Sequence, residues 1–431
     1  MITSDSHSSY EDVNEAIKQV FDQLETDKDD YINIVHKNEE EMQIFLGKEK
    51  VTSPDSPSFL CILKKWNSFS PIIPSDSEKA RKGGGYYLYC NEYGLVIDPG
   101  FNFIQNFFEQ GFKLADINGI LISHAHNDHS IELESICSLL NKKNKYGEEE
   151  EKQENQQIDL FLNLGSFKKY AALFDLGEKG SPNYLSKIIL LNAHQFYKIK
   201  DNFCFVTTET KHNEVITASY GLGFVFKCNK KLIRLTSDTG WNTKIEEENL
   251  KVVERTSETD EKFDLDSISV LITHVGTIKE GEFKYDFNLS LEENERGQRF
   301  YENHLGLLGC ICMIKKWKPN LTILSEFGEE LNKLRIPLAK ILKAAMGTNV
   351  LPGDIGMVID IDQELCFCQK SGVLAEYDDI HIQLVNNQII YMAESQLTKE
   401  EKEYELHNVE TTVAEKPKRF ADYIKNLANN G

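Results

Sequence analysis

The chain lacks an apolar run long enough to cross a bilayer; the longest, residues 305–314, is about half of a spanning helix. Residues 1–10 are polar and lack the basic and apolar segments of a secretory leader. These two absences predict a cytoplasmic protein with no membrane partner. Basic charge is also short: 48 Lys and Arg stand against 69 Asp and Glu, a formal net charge of −21. A broad surface for long duplex nucleic acid is therefore not expected, although a small anionic substrate held by metals remains compatible. The nine cysteines are odd in number and scattered. The pairs Cys310/Cys312 and Cys366/Cys368 lack zinc-knuckle spacing, so they read as reduced, mostly buried thiols. Histidine is scarce, at 11 in 431 residues.

That scarcity singles out one stretch. His124-Ala125-His126-Asn127-Asp128-His129 places three imidazoles and a carboxylate directly after the apolar Ile120-Leu121-Ile122. A short apolar run ending in a polar cluster reads as a buried strand that opens into a site. Alternating His124 and His126 can lean toward one metal ion, and Asp128 and His129 can reach a second. Four further ligand-type residues follow the same rule. Asp98 comes after 95–97, His212 after 203–209, Asp238 after 233–236, and His274 after 270–272. Strand ends that point polar groups into one crevice are the general plan of an α/β active site.

Around these positions the chain divides into an N-terminal helical and acidic extension (1–57), a main domain (58–345) and a β-rich C-terminal extension with a charged helical tail (346–431). Val13, Ile17, Val20 and Leu24 give residues 11–24 an apolar helical stripe, expected to pack on the main body. Residues 141–157 and 244–262 are charged and read as solvated insertions. Further strands are predicted at 59–63, 86–89, 188–191, 223–228 and 321–324, with helices near 103–110, 131–140 and 305–317. Tyr93-Gly94 reads as a hairpin turn, and a second hairpin is centred on Asn386-Asn387. This mixture predicts two mixed sheets covered by helices.

The order Asp98, His124-x-His126-x-Asp128-His129, His212, Asp238 resembles the metallo-β-lactamase fold of hydrolases, over residues 59–328. The resemblance implies an α/β (α+β) fold, a four-layer αββα sandwich of two mixed sheets. It implies His124, His126 and His212 on one metal, Asp128 and His129 on the second, and Asp238 bridging them. Asp98 would orient a ligand imidazole or the loop. Asn303-His304-Leu305-Gly306 and Leu324-Ser325-Glu326-Phe327-Gly328 are similar to the tRNA 3′-processing (RNase Z) branch. There a histidine at the helix start contacts the scissile phosphate, which His304 matches. The last metal ligand is a histidine where this chain has Glu326. A carboxylate makes a harder, more negative site. Glu326 completes the second metal site, or His274 takes its place. His274 is otherwise a supporting or substrate-contacting group, or a core imidazole.

The implied cofactors are two divalent metal ions, zinc foremost, with manganese or magnesium as alternatives. The implied chemistry is metal-assisted hydrolysis by a hydroxide between the ions, with Asp128 and Asp238 positioning it and His304 on the leaving side. A phosphodiester substrate leads, as a small nucleotide or single-stranded nucleic acid. A thioester or lactam hydrolase on the same metals is the alternative, as is a metal-stabilised component of a bacterial anti-phage defence assembly. A homodimer or partner proteins would suit the acidic insertions and the amphipathic helix. His194 and His381 read as surface or satisfied histidines, and His7, His36 and His407 carry no signal. Gly83-Gly84-Gly85 reads as backbone approaching the site or as a plain hairpin. The basic run Lys79, Arg81 and Lys82 before it could receive a phosphate but reads first as a solvated loop.

Overall fold

In the computed structural model, apolar side chains alternate along the strands of two facing sheets, and that alternation sets the layers. The structure describes residues 10–66, 83–145, 155–174, 182–213, 220–256, 263, 268–362, 365–368, 380–385 and 388–393. The first sheet starts with β1 (Phe59–Ile62), β2 (Tyr86–Cys90), β3 (Tyr93–Ile97), β4 (Gly119–Ile122), β5 (Ile158–Asn163) and β6 (Leu185–Leu191). The second contains β7 (Phe196–Lys200), β8 (Phe203–Asn213), β9 (Tyr220–Cys228), β10 (Lys231–Leu235), β11 (Ile268–Gly276), β12 (Leu321–Phe327) and β13 (Asn349–Pro352). The chain then returns to the first sheet with β14 (Met357–Asp360) and β15 (Leu365–Cys368), and β16 (Ile380–Val385) and β17 (Gln388–Ala393) pair separately.

The spatial orders are β15-β14-β1-β2-β3-β4-β5-β6 and β13-β12-β11-β10-β9-β8-β7. Strands β3 to β6 are parallel in the first sheet, and β10 to β13 in the second; the remaining neighbours are antiparallel. In β3, Leu95 and Ile97 turn toward the second sheet and join Phe205, Phe224, Ile233 and Ile272. Val96, between them, turns outward onto Phe103, Phe107, Leu133 and Ile136 of the covering helices. On the far side, Val225, Leu271 and Leu324 pack against Val253, Met313, Trp317 and Leu342. Two sheets, each buried on both faces, thus give helix, sheet, sheet and helix in succession, the predicted four-layer sandwich.

Several sequence expectations need correction. The hairpin between β2 and β3 turns at Asn91 and Glu92, both at positive φ, and not at Tyr93-Gly94. Gly94 lies in β3, where a Cβ would stand 2.0 Å from the Asp116 carbonyl oxygen and 2.3 Å from the Tyr87 hydroxyl. The helix Tyr10–Leu24 forms, but Val13, Ile17, Val20 and Phe21 are exposed instead of packed on the body. Much of 244–262 is the helix Thr243–Thr256, which buries Glu246, Asn249 and Val253. The helix Leu133–Lys145 runs into the expected insertion at 141–157, and Gln156 Nε2 donates to the carbonyls of Leu114 and Ile117. Residues 349–360 are not an extension: β13 and β14 are strands of the two main sheets. The charged tail and the basic run at 79–82 lie outside the described residues.

Candidate metal centre

The ends of β3, β4, β8, β10, β11 and β12 open at one edge of the sandwich. Each delivers a polar residue there: Asp98, His124, His212, Asp238, His274 and Glu326 respectively. The backbone is left-handed at three of these ends, with Asp98, Ser237 and Glu326 at φ 51°, 56° and 56°. Left-handed backbone is unfavourable for non-glycine residues, and its clustering at one edge is typical of functional sites. His304 precedes the helix Gly306–Trp317. Its ring lies over Gly276 at φ 66°, where a Cβ would approach the imidazole to 2.7 Å.

The hydrogen bonds assign the imidazole tautomers. Asp98 Oδ1 accepts from Ser123 N at 2.7 Å, and Oδ2 accepts from Ser123 Oγ at 2.7 Å. An ionised carboxylate only accepts, so His129 Nδ1 donates to Asp98 Oδ2 at 2.9 Å. The Ser123 hydroxyl, already donating to Asp98, accepts from His124 Nδ1 at 3.0 Å. His212 Nδ1 donates to the Asn303 carbonyl at 3.1 Å. The Nε2 atoms of His124, His129 and His212 therefore all point inward.

These nitrogens face another imidazole and several carboxylates. His124 Nε2 and His212 Nε2 lie 3.1 and 3.3 Å from His126 Nδ1. They lie 3.6 and 3.9 Å from Asp238 Oδ2. His129 Nε2, buried and without a hydrogen-bond partner, faces Asp238 Oδ2 at 3.4 Å, Glu326 Oε1 at 3.5 Å and Asp128 Oδ2 at 3.6 Å. Lone pairs facing carboxylates repel unless a cation or proton stands between them, so this donor set fits divalent metal. Two groups of side chains could each hold an ion, with ligand atoms within 4.8 Å: His124, His126, His212, Asp238 and His129, Asp238, His274, Glu326. Asp238 belongs to both.

The electrostatics follow from this crowding. Burial opposes charge on Asp238, but His304, His129 and His274 overcome it and hold the carboxyl well below its usual range. Burial, then the neighbouring His129, keeps His124 well below the ordinary imidazole value. His129 goes the other way: burial and Lys64 oppose its charge, but Asp238, Asp128 and Glu326 drive its pKa well up. Burial lowers His304, whose Nδ1 has no hydrogen-bond partner and stands 3.6 Å from Asp238 Oδ1.

All the sequence-predicted site residues come together here, with Asp98 bonded to His129 and His274 to Asp238. His274 Nδ1 donates to Asp238 Oδ1 at 2.8 Å, and its Nε2 lies 2.9 Å from the Tyr86 hydroxyl, itself 2.8 Å from Ser325 Oγ. Tyr86 and Ser325 carried no signal in the sequence. Nor did Lys64, whose buried ammonium forms an ion pair with Glu326. His194 is satisfied by Asn249 at 3.0 Å, as expected.

Sandwich, strand-end ligands and the His-x-His-x-Asp-His turn now occur together. The chain has the metallo-β-lactamase fold. A family model described as "Anti-Pycsar protein Apyc1" matches residues 85–260 of this metallo-β-lactamase-fold chain. That stretch includes Asp98, the histidine cluster, His212 and Asp238 but neither Lys64 nor Glu326. An anti-Pycsar protein Apyc1 of Bacillus phage vB_BsuM-Goe3 is 36% identical over 66 residues, 15% of this chain and 25% of the relative. The match thus spans a quarter of that relative's length. Among solved structures, the metallo-β-lactamase fold protein YhfI from Bacillus subtilis covers 70% of this chain and 98% of its own, at 14% identity and a TM-score of 0.48. The short form of human tRNase Z covers 70% and 99%, at 15% identity and a TM-score of 0.45. No helix among the described residues is long and apolar enough to cross a membrane.

Proposed function

We propose that this chain is a metal-dependent phosphodiesterase with two cation positions, acting on a compact phosphodiester such as a cyclic nucleotide or a single-stranded nucleic-acid end. The observation that carries the reading is the membership of Asp238 in both donor groups, which lets one carboxylate serve two cations. His124, His126, His212 and Asp238 hold the first, and His129, Asp238, Glu326 and Asp128 the second, supported by Asp98 and His274. Divalent cations there would make hydroxide available at neutral pH and offset charge growing on an attacked phosphoryl oxygen; zinc suits the imidazole-rich group, and manganese or magnesium the carboxylate-rich one.

The protein's own residues supply the rest. His126, Asp128 and His304 are half-buried while the residues behind them are closed off, so substrate approaches from their side. Burial lowers the His304 pKa, and its Nδ1, without a hydrogen-bond partner, can hold or hand over a proton beside a leaving oxygen. A net charge of −21 opposes long polyanions and favours a small substrate. A role against a Pycsar system is consistent with the family model over 85–260 and rests on that stretch alone.

Protein reconstituted with zinc or manganese, assayed on bis-p-nitrophenyl phosphate, cyclic nucleotides, a thioester and nitrocefin, tests this. Turnover confined to the phosphodiesters is expected. Turnover of only the thioester or lactam would replace the reading with its alternative. A fully loaded but inert protein would leave a binding component of a larger assembly.

A further inference from the structure

Lys64 lies two residues beyond the end of β1 and has no exposed surface. A lysine at a strand end ordinarily reaches water with its ammonium, and burying that charge is costly without close partners. Here Nζ pairs with Glu326 and donates to the Asp128 carbonyl at 3.1 Å. The same carboxylate oxygen, Glu326 Oε1, lies 3.5 Å from His129 Nε2 and 3.8 Å from His274 Nδ1. Glu326 is thus shared between an ammonium and one of the two donor groups.

We propose that Lys64 sets the strength of the second cation position. Its ammonium is a built-in counter-ion to Glu326, and a divalent cation among Asp128, His129, Asp238 and Glu326 must share that carboxylate with it. Two positive charges competing for one buried carboxylate repel across a few ångströms, with little water between them to screen the repulsion. The group His124, His126, His212 and Asp238 has three imidazoles and does not depend on Glu326. The chain therefore binds one divalent ion tightly and a second weakly, in that order. This inference rests on reading both groups as cation sites.

Metal-free protein is titrated with zinc against a chromophoric chelator, and bound metal is counted by emission spectroscopy after gel filtration. Wild-type protein is expected to show one tight step and a second at least about a hundredfold weaker. Lys64→Met should tighten the second step by about tenfold or more and leave the first unchanged, while Lys64→Arg keeps it weak. Glu326→Gln should remove the second step. Two wild-type steps within about tenfold of each other, or an unaltered second step in folded Lys64→Met, overturn the proposal. If Lys64→Met does not fold, the wild-type ratio decides. If no ion binds at all, the reading of both donor groups falls, and this proposal with it.

Discussion

His129 Nδ1 donates to Asp98 Oδ2 across 2.9 Å, and the ring's other nitrogen is left facing Asp238, Glu326 and Asp128. The carboxylate behind the imidazole therefore decides which lone pair the site receives. Asp98→Asn keeps the shape and tolerates the left-handed backbone but loses the obligate acceptor. Cation affinity should fall by about 10- to 100-fold with the circular dichroism spectrum unchanged. Unaltered affinity in chelator competition would show that Asp98 serves only the loop.

Removing metal should cost stability as well as activity. A cation held only by the folded chain stabilises it by mass action, so chelator-stripped protein should melt about 5 °C or more below the zinc-loaded form. Scanning calorimetry with and without added zinc measures this. His126→Ala should abolish turnover and blunt the recovery on adding metal back. A wild-type transition indifferent to metal would argue against the donor groups as ion sites.

His304 shows a different signature. It touches Asp238 but belongs to neither donor group. His304→Ala should lower phosphodiester turnover by about 10²-fold or more while bound metal stays constant. Loss of metal in that variant would make His304 a ligand instead.

The paired cysteines on the helix Gly306–Trp317 should be inert. Burial pushes the thiols of Cys310 and Cys312 up to about 12 from an ordinary value of 9.0. At pH 8 their thiolate fraction is then about 10⁻⁴, and the thiolate is the reactive form. Iodoacetamide should label them only after denaturation. Because the folded pKa is raised, their linked stability is whole below pH 9 and declines as pH climbs from 9 toward 12. Fast native labelling at pH 8, read by peptide mass spectrometry, would contradict this burial.

The strand-end ligands were legible because each follows an apolar run, a local pattern that survives without coordinates. Lys64 was not, since a lysine just past an apolar run ordinarily reaches solvent, and its partners, Glu326 and the Asp128 carbonyl, lie far off in the chain. Strand β7 was missed because Phe196-Tyr197-Lys198-Ile199-Lys200 carries an edge strand's charges. The segment 244–262 read as solvated because its charges outnumber its apolar residues. Yet Glu246 is buried against the Trp317 indole nitrogen at 2.9 Å, a distant partner no window reveals. Gly94 suggested a turn, when its smallness answers to the Tyr87 hydroxyl and the Asp116 carbonyl.

Residues 349–360 form a staple between the sheets, with β13 beside the strand that bears Glu326 and β14 beside the one that leads to Lys64. Gly353 N donates to the Leu324 carbonyl at 2.7 Å, and Gly356 N to the Ile62 carbonyl at 2.9 Å, so the crossing is pinned on both banks. How far apart the ammonium and its carboxylate sit is thus governed by a stretch that follows both in the chain. A fragment cut at 345 would keep every ligand yet lose the gauge between them.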